Sequence, residues 1–162
     1  MPHLRKEFGG CAGNIAYNFK KIGGEPIPVG TVGEDFDPYR KWMTELEVNN
    51  EYVTEVPTTY TAQAFITTDT DNNQITAFHP GAMDFSNAND LRSVGDADIG
   101  IISPDGKEGM LNHARQLADL KIPFIFDPGQ GMPMFDGDEL SQLIKLANWV
   151  SVNEYEAEIM EK

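Results

Sequence analysis

The C-terminal part of the sequence alternates short apolar runs with amphipathic segments. The runs at 98–102, 122–126 and 149–152 have the length of strands, and apolar residues recur at helical spacing between and after them. This β-α-β-α-β-α order predicts a parallel sheet with helices on its faces. In such open sheets, ligands bind at the carboxyl ends of the strands. The polar residues expected at those ends are Asp105, Gln130 and Asn153.

Near the N-terminus, a glycine-rich turn leads into a helix. Three glycines, Gly9, Gly10 and Gly13, stand within five residues. Asn14 follows directly, and apolar residues from Ala12 to Ile22 recur at helical spacing. Glycine lets a backbone approach a ligand closely, and free N–H groups at a helix start attract hydroxyl oxygens and anions. Because the turn matches neither a Walker A loop nor G-x-G-x-x-G, the pattern alone fits a binding loop or an ordinary turn.

The residues between these two regions predict further strands and one helix. A short buried strand is expected at 26–32, and Asp37-Pro38 begins a helix. The apolar face of that helix is interpreted as core packing and comprises Tyr39, Trp42, Met43 and Leu46. Alternating residues rich in Thr, Val, Tyr and Phe predict strands within 51–80. The strand pair at 60–79 interrupts the strand–helix alternation, so we expect it to form a lid.

The composition indicates a globular protein with an acidic surface. The chain has 162 residues, 40% of them hydrophobic, and a net charge of −14. Such a surface repels nucleic acid, and no apolar run reaches the ~20 residues of a membrane span. The single cysteine, Cys11, fits a reducing compartment and is interpreted as a small buried residue rather than a nucleophile. With no signal peptide evident, we expect a cytoplasmic protein without nucleic-acid or membrane partners.

Two segments resemble the PfkB (ribokinase-like) carbohydrate kinase family. GGCAGNIA, followed by a helix, GG and a strand ending in VGTVGEDF, is similar to the first signature of that family. TTDTDNNQITAFHPGAM is similar to the corresponding hairpin of its bacterial adenosine kinase branch, and the resemblance runs from Phe8 to Glu158. It implies an α/β, ribokinase-like fold, which is a mostly parallel sheet flanked by helices with a small β lid.

The resemblance also implies that residues 1–162 are part of a larger domain, with lid strands near 1–8 and 51–80. The first strand of the family and its later G-A-G-D segment, which carries the catalytic aspartate, are absent from this sequence. The chain therefore resembles the N-terminal and middle part of such a kinase. We expect it to be inactive alone, with no catalytic residue of its own.

The activity implied for the intact protein is phosphoryl transfer from ATP, with Mg²⁺, to the 5′-hydroxymethyl group of adenosine or a similar nucleoside. A kinase for ribose or another small sugar is the alternative within the family. A non-catalytic nucleoside- or sugar-binding fragment, or a purely structural fragment, remains an alternative from another class. Members of the family often dimerise through the lid, so a homodimer is a further expectation.

The resemblance assigns four residues to the substrate. Gly10 and Asn14 are expected at the sugar, with Asn14 hydrogen-bonding its hydroxyls. Phe78 is expected to stack on the purine, although an aromatic residue at a strand end also fits plain core packing. Gln130, followed by Asp127, is expected to face the substrate after the sixth strand, where a strand-terminal turn is an equally good reading of the sequence.

Two residues near the C-terminus match the second motif of the family. Asn153 and Glu156 form an N-x-x-E that is expected to help bind ATP and, through water, to organise Mg²⁺. Mg²⁺ prefers oxygen ligands and keeps several of its waters, so one carboxylate and one amide suit it. The alternative is that both residues belong to a solvated acidic face at a helix start.

Overall fold

The structure is a computed structural model that describes residues 4–161. Its α-helices are α1 (Cys11–Lys21), α2 (Asp37–Glu45), α3 (Lys107–Leu120), α4 (Gly137–Leu146) and α5 (Glu154–Met160). Its strands are β1 (Gly30–Val32), β2 (Val53–Glu55), β3 (Gln63–Thr68), β4 (Gln74–His79), β5 (Gly100–Ile102), β6 (Phe124–Phe126) and β7 (Trp149–Val150). Short 3-10 helices span Gly81–Ala88, Leu91–Ser93 and Gly129–Met134. None of the helices within 4–161 combines the length and apolar character needed to cross a membrane.

The C-terminal region forms the parallel sheet that the alternation predicts. Strands β5, β6 and β7 pair in that order, all parallel, and α3, α4 and α5 follow them in turn. Phe124 and Phe126 of β6 have no exposed surface and pack with apolar residues of α3 and α4 on one face of the sheet. The strand ends therefore lie along one edge, with the loops after β5, β6 and β7 beside each other.

A second core lies under the N-terminal elements. Ala16 of α1, Val32 of β1 and Met43 of α2 are buried together with Phe36 and Val48. The predicted apolar face of α2 is confirmed, since Tyr39, Trp42 and Leu46 pack against this cluster.

The segment 51–80 divides into two different pairings. β2 pairs in parallel with β1, whereas β3 and β4 form an antiparallel hairpin. β2 is therefore the partner of β1 and is not hydrogen-bonded to the hairpin. The sequence had grouped β2 and the hairpin in one expected lid range, 51–80. Residues 4–8 form no strand, and residues 1–3 lie outside the described residues. The role of the hairpin as a lid stays a prediction.

Candidate functional site

One thiol and three carboxyl groups interact electrostatically where the parallel strands end. They belong to Cys11, Asp105, Asp127 and Glu156. Partial desolvation, followed by the charges of Asp127 and Asp105, raises the pKa of the Cys11 thiol. Burial and the charge of Glu156 likewise raise the pKa of Asp127. These couplings require the start of α1 and the loops after β5, β6 and β7 to be close to each other. The start of α1 therefore lies within electrostatic range of the carboxyl edge of the sheet.

Asp105 is the most strongly perturbed carboxyl group of this edge. Burial raises its pKa to about 6, against the opposing effect of the Gly106 N–H, which donates to Oδ1 over 2.8 Å. A carboxyl group with such a pKa changes its proton occupancy close to neutral pH, and perturbed groups of this kind cluster at functional sites. The sequence placed Asp105 at a strand end, but nothing in it indicated the burial that shifts the pKa.

The solvent exposure of Cys11 differs from the buried position that was expected from the sequence. The residue is exposed, not buried, because it stands at the first turn of α1, on the side of the helix away from Ala16. Its raised pKa keeps the thiol protonated near neutral pH, and a thiol is a far weaker nucleophile than a thiolate. The interpretation that Cys11 is no nucleophile agrees with this pKa.

The glycine turn leaves polar groups available at the start of α1. Gly10 is the N-cap residue, with φ 85° and ψ 150°, a conformation that glycine adopts without steric cost. No side chain caps this helix start. Asn14 lies in the first turn, is exposed, and its side chain makes no hydrogen bond to another residue of 4–161. Its amide can therefore bind a ligand without breaking an internal contact.

Phe78 lies on the hairpin, away from any aromatic partner. It is 56% exposed and pairs with Ala64 across the ladder. No ring within residues 4–161 stacks on it. The reading of Phe78 as plain core is wrong, because both faces of this two-stranded sheet are open to solvent. The structure shows no direct contact that joins Phe78 to Gly10 or Asn14, so its place at the substrate stays a prediction.

The base of the hairpin is tied to the loop after β1 by a carboxylate. Asp35 accepts hydrogen bonds from the Thr61 N–H over 2.7 Å and from the Gln63 amide over 3.0 Å. Partial burial opposes ionisation, but these hydrogen bonds outweigh it and lower the pKa of Asp35. Asp35 was not among the site residues predicted from the sequence. Its position could have been used to predict it, because an acidic residue three positions after a buried strand lies at the carboxyl end of that strand.

Gln130 lies one residue inside the 3-10 helix that follows β6. It is exposed, and its side chain makes no hydrogen bond to another residue of the described range. Pro128, directly before that helix, is fully buried. The strand-terminal turn expected as the alternative is therefore present, and it presents the Gln130 amide to solvent beside Asp127.

Asn153 and Glu156 form a reciprocal capping box at the start of α5. The Glu156 N–H donates to Asn153 Oδ1 over 2.9 Å, and the two carboxylate oxygens of Glu156 accept from the Asn153 N–H and Nδ2 at 3.0 and 2.9 Å. This arrangement fixes both side chains and satisfies helix-start N–H groups. Within residues 4–161, no group of three or more His, Cys, Asp and Glu side chains is placed to hold a metal ion. Any Mg²⁺ here would depend on water and phosphate oxygens for most of its shell.

A separate cleft of about 310 Å³ lies near the amino ends of β1 and β2. Asn89 lines it, is 8% exposed, and its Nδ2 has no hydrogen-bond partner within the described residues. Both carboxyl groups with raised pKa values, Asp105 and Asp127, instead lie at the carboxyl edge. Perturbed titratable groups cluster at functional sites, so the carboxyl edge is the candidate site.

Comparisons with known proteins agree in both sequence and structure. A model of the pfkB family carbohydrate kinases matches residues 1–162. A nucleoside kinase of Methanocaldococcus jannaschii is 31% identical over 161 residues, covering 98% of this chain and 52% of that protein. Its crystal structure, at 30% identity, superposes with a TM-score of 0.91 over 99% of this chain and 54% of that one.

A second solved structure is more similar in sequence. The Burkholderia thailandensis nucleoside kinase in complex with inosine is 52% identical, with a TM-score of 0.93 over 98% of this chain and 52% of that chain. The same kinase has been solved in complex with ADP-inosine. The chain spans about half the length of the curated relatives it matches.

Proposed function

The chain belongs to the pfkB family of carbohydrate kinases, and its fold is ribokinase-like. From this premise we propose that the full-length protein transfers the γ-phosphoryl group of ATP to the 5′-hydroxymethyl group of adenosine or a similar purine nucleoside. One observation carries the proposal, namely that the start of α1, with its open glycine turn, lies within electrostatic range of the acidic carboxyl edge of the sheet. The similarity to a nucleoside kinase solved with inosine supports a purine nucleoside as substrate.

The proposed substrate contacts follow from which groups are free. The backbone at Gly10 and the unpaired Asn14 amide would bind ribose hydroxyls, with the Gln130 amide as a further polar contact. Phe78 would stack on the base, because a flat exposed ring with no internal partner suits base stacking. Positioning of this kind supplies much of the catalysis in phosphoryl transfer.

The capping box would act at the phosphate side of the site. The Glu156 carboxylate and the Asn153 amide fit a hydrated Mg²⁺ that is held through its waters, since neither side chain is free to move without breaking the box. When bound, Mg²⁺ would supply neutralisation of phosphate charge. Neither residue is proposed as an acid or base, and the chain alone is proposed to be inactive.

A homodimer through the hairpin is a further proposal. Ala64, Ile66 and Phe78 share one face of the hairpin, and Phe65, Ile75 and Ala77 share the other. An isolated two-stranded hairpin with two exposed apolar faces is marginally stable in water. If Phe78 serves the substrate, the face of Phe65 is the one available to a second copy. The cytoplasmic location expected from the sequence also stays a prediction.

The test is a coupled ATP-consumption assay on the full-length gene product with adenosine, inosine and ribose. We expect kcat/KM for a purine nucleoside to exceed that for ribose by at least about tenfold, which corresponds to ~1.4 kcal/mol. Equal or better use of ribose would favour the small-sugar kinase instead. Tight nucleoside binding without phosphorylation would favour the non-catalytic binding protein.

Asn14→Ala provides a second measurement on the same protein. Loss of hydrogen bonds to ribose hydroxyls should weaken nucleoside binding by ~1–3 kcal/mol in calorimetry. Asn18→Ala is the matched control one helical turn later, because Asn18 is also exposed and donates only to the Asn14 carbonyl oxygen. Unchanged affinity in Asn14→Ala would remove this residue from the proposed site.

A further inference from the structure

Tyr39 of α2 reaches across to the glycine turn. Its hydroxyl donates a hydrogen bond of 2.9 Å to the carbonyl oxygen of Gly9. Within residues 4–161, the only other hydrogen bond of residues 8–10 runs from the Asn14 N–H to the Gly10 carbonyl oxygen, at the start of α1 itself. The hydroxyl also lies against Gly13 so closely that a Cβ added there would overlap it. Tyr39 thus contacts the turn before α1 and the first turn of α1 at once.

Aromatic packing holds the Tyr39 ring in place. Phe8 stacks on it with ring centroids 4.5 Å apart and planes 14° apart, and Trp42 lies 5.5 Å away. Trp42 in turn stacks with Tyr17 of α1 at 5.5 Å. Burial raises the pKa of the Tyr39 phenol above its ordinary value, so the hydroxyl keeps the proton that it donates.

A tether of this kind matters because the turn has little else to fix it. Gly10 has a backbone conformation that is strained for residues other than glycine, and no side chain caps the helix start. A flexible glycine segment pays conformational entropy when it is ordered by a ligand. A turn that is already ordered in the free protein avoids that loss, which is the advantage of preorganisation.

We propose that Tyr39 is a positioning residue: through its hydrogen bond to Gly9 and its contact with Gly13, it holds the glycine turn in the conformation that binds the sugar of the substrate. The proposal rests on the proposed function, since it assigns the turn to the ribose. It deepens that function by extending the site to a residue on α2. In this proposal Tyr39 acts through the turn and is assigned no contact with the substrate or the reacting atoms.

The first test compares Tyr39→Phe with Tyr17→Phe in the full-length gene product. Tyr39→Phe keeps the ring and its stacking and removes only the hydroxyl. Tyr17 belongs to the same aromatic cluster, but its hydroxyl makes no hydrogen bond within the described residues. We expect Tyr39→Phe to raise KM for the nucleoside about three- to tenfold, with KM for ATP and kcat within about twofold of wild type. Tyr17→Phe should match wild type.

The rise in nucleoside KM without a change in kcat is the effect that a merely structural role would not produce, and hydrogen exchange tests whether the Tyr39 hydroxyl orders the turn. In the ligand-free protein, the amides of 9–14 should exchange faster in Tyr39→Phe than in wild type or Tyr17→Phe, while the amides of α3 stay unchanged. A raised KM together with faster exchange supports the proposal. Either change without the other overturns it, as does a Tyr39→Phe protein that matches Tyr17→Phe in both.

A double-mutant cycle sharpens the result. Gly13→Ala alone places a methyl group on the Tyr39 hydroxyl, whereas in Tyr39→Phe the nearest remaining ring atom lies 3.1 Å from that methyl position. The two substitutions should therefore be non-additive, with the double variant less impaired in nucleoside KM than the product of the single effects. Additive effects would contradict the proposed contact.

If wild type phosphorylates neither nucleosides nor sugars, the proposed function is wrong. That outcome is distinct from an active wild type in which Tyr39→Phe has no effect, which would contradict only the role of Tyr39.

Discussion

The parallel sheet and the hairpin use phenylalanine in opposite ways. Phe124 and Phe126 of β6 have no exposed surface and lie under α3 and α4, whereas Phe65 and Phe78 of the hairpin are 61% and 56% exposed. The same side chain therefore stabilises the fold in one region and remains available for a ligand or partner in the other. Exposed apolar residues in a contiguous patch usually mark an interaction site.

The two regions also differ in how they are held in place. The parallel sheet is anchored by a continuous apolar core, while the hairpin is joined to the body through polar contacts at its base, including those of Asp35. Polar ties of ~1 kcal/mol each can be broken and remade, but a packed core cannot open locally at such a cost. The comparison predicts that the hairpin moves more easily than the sheet.

The largest expected effect tests the burial contrast directly. Phe124→Ala should lower the free energy of unfolding by about 3–5 kcal/mol, because it leaves a cavity in the core. Phe65→Ala, at 61% exposure, should change it by no more than about 0.5 kcal/mol at protein concentrations low enough for the proposed dimer to have dissociated. Urea denaturation of the full-length protein measures both. Similar losses for the two variants would mean that the hairpin is covered in solution.

The next effect separates the two faces of the hairpin. Phe78→Ala should weaken nucleoside binding by ~1–3 kcal/mol and leave ribose binding nearly unchanged, since only a base can stack on the ring. Phe65→Ala, on the opposite face, should leave nucleoside affinity intact and shift a dimer toward monomer in sedimentation. If Phe78→Ala weakens both ligands equally, the ring packs in the lid and the small-sugar kinase gains support.

A smaller effect concerns the sheet edge, where two capping boxes provide a matched pair. Glu156→Gln should raise the Mg²⁺ concentration needed for half-maximal activity by about tenfold, with nucleoside affinity close to normal. Glu139→Gln alters the equivalent box of α4, and its loss of the 2.7 Å contact with Lys107 should lower only the melting temperature. A wild-type Mg²⁺ dependence in Glu156→Gln, with reduced stability, would leave it as a helix cap alone.

The smallest effect probes the tie between the two regions. The hydrogen bonds that lower the pKa of Asp35 stabilise the folded state above the ordinary Asp value of 3.8, and this contribution is lost as the pH falls through the lowered value. Asp35→Asn should cost about 0.5–1.5 kcal/mol of unfolding free energy at pH 7, and the difference from wild type should shrink below pH 3.8.

Glu34→Gln is the control for that titration, because its exposed side chain makes no hydrogen bond within residues 4–161. It should follow wild type across the whole pH range. A constant difference between Asp35→Asn and wild type would contradict an ionised Asp35 as the tie.

Tertiary contacts explain where the sequence-based expectations were incomplete. β1 finds its partner β2 through the register Gly30↔Val53, a pairing between distant residues that no local pattern encodes. For the same reason, 51–80 looked like one lid range although it contains two pairings. Tyr39 was correctly read as core-facing, but its bond to Gly9 spans 30 positions of the sequence and had no local signal.

The sequence by itself determined the elements and the family, because apolar periodicity decides which face of a helix or strand is buried and the glycine signature is carried by residue identity. It therefore predicted that the strands at 98–102, 122–126 and 149–152 form a parallel sheet, and it named the strand-end residues. Only the tertiary structure decided which side chains influence each other's charge. Cys11 at the start of α1 is affected by Asp105 and Asp127 at the strand ends. Burial and charge–charge distance depend on how the elements pack together, so they exist only once the chain has folded.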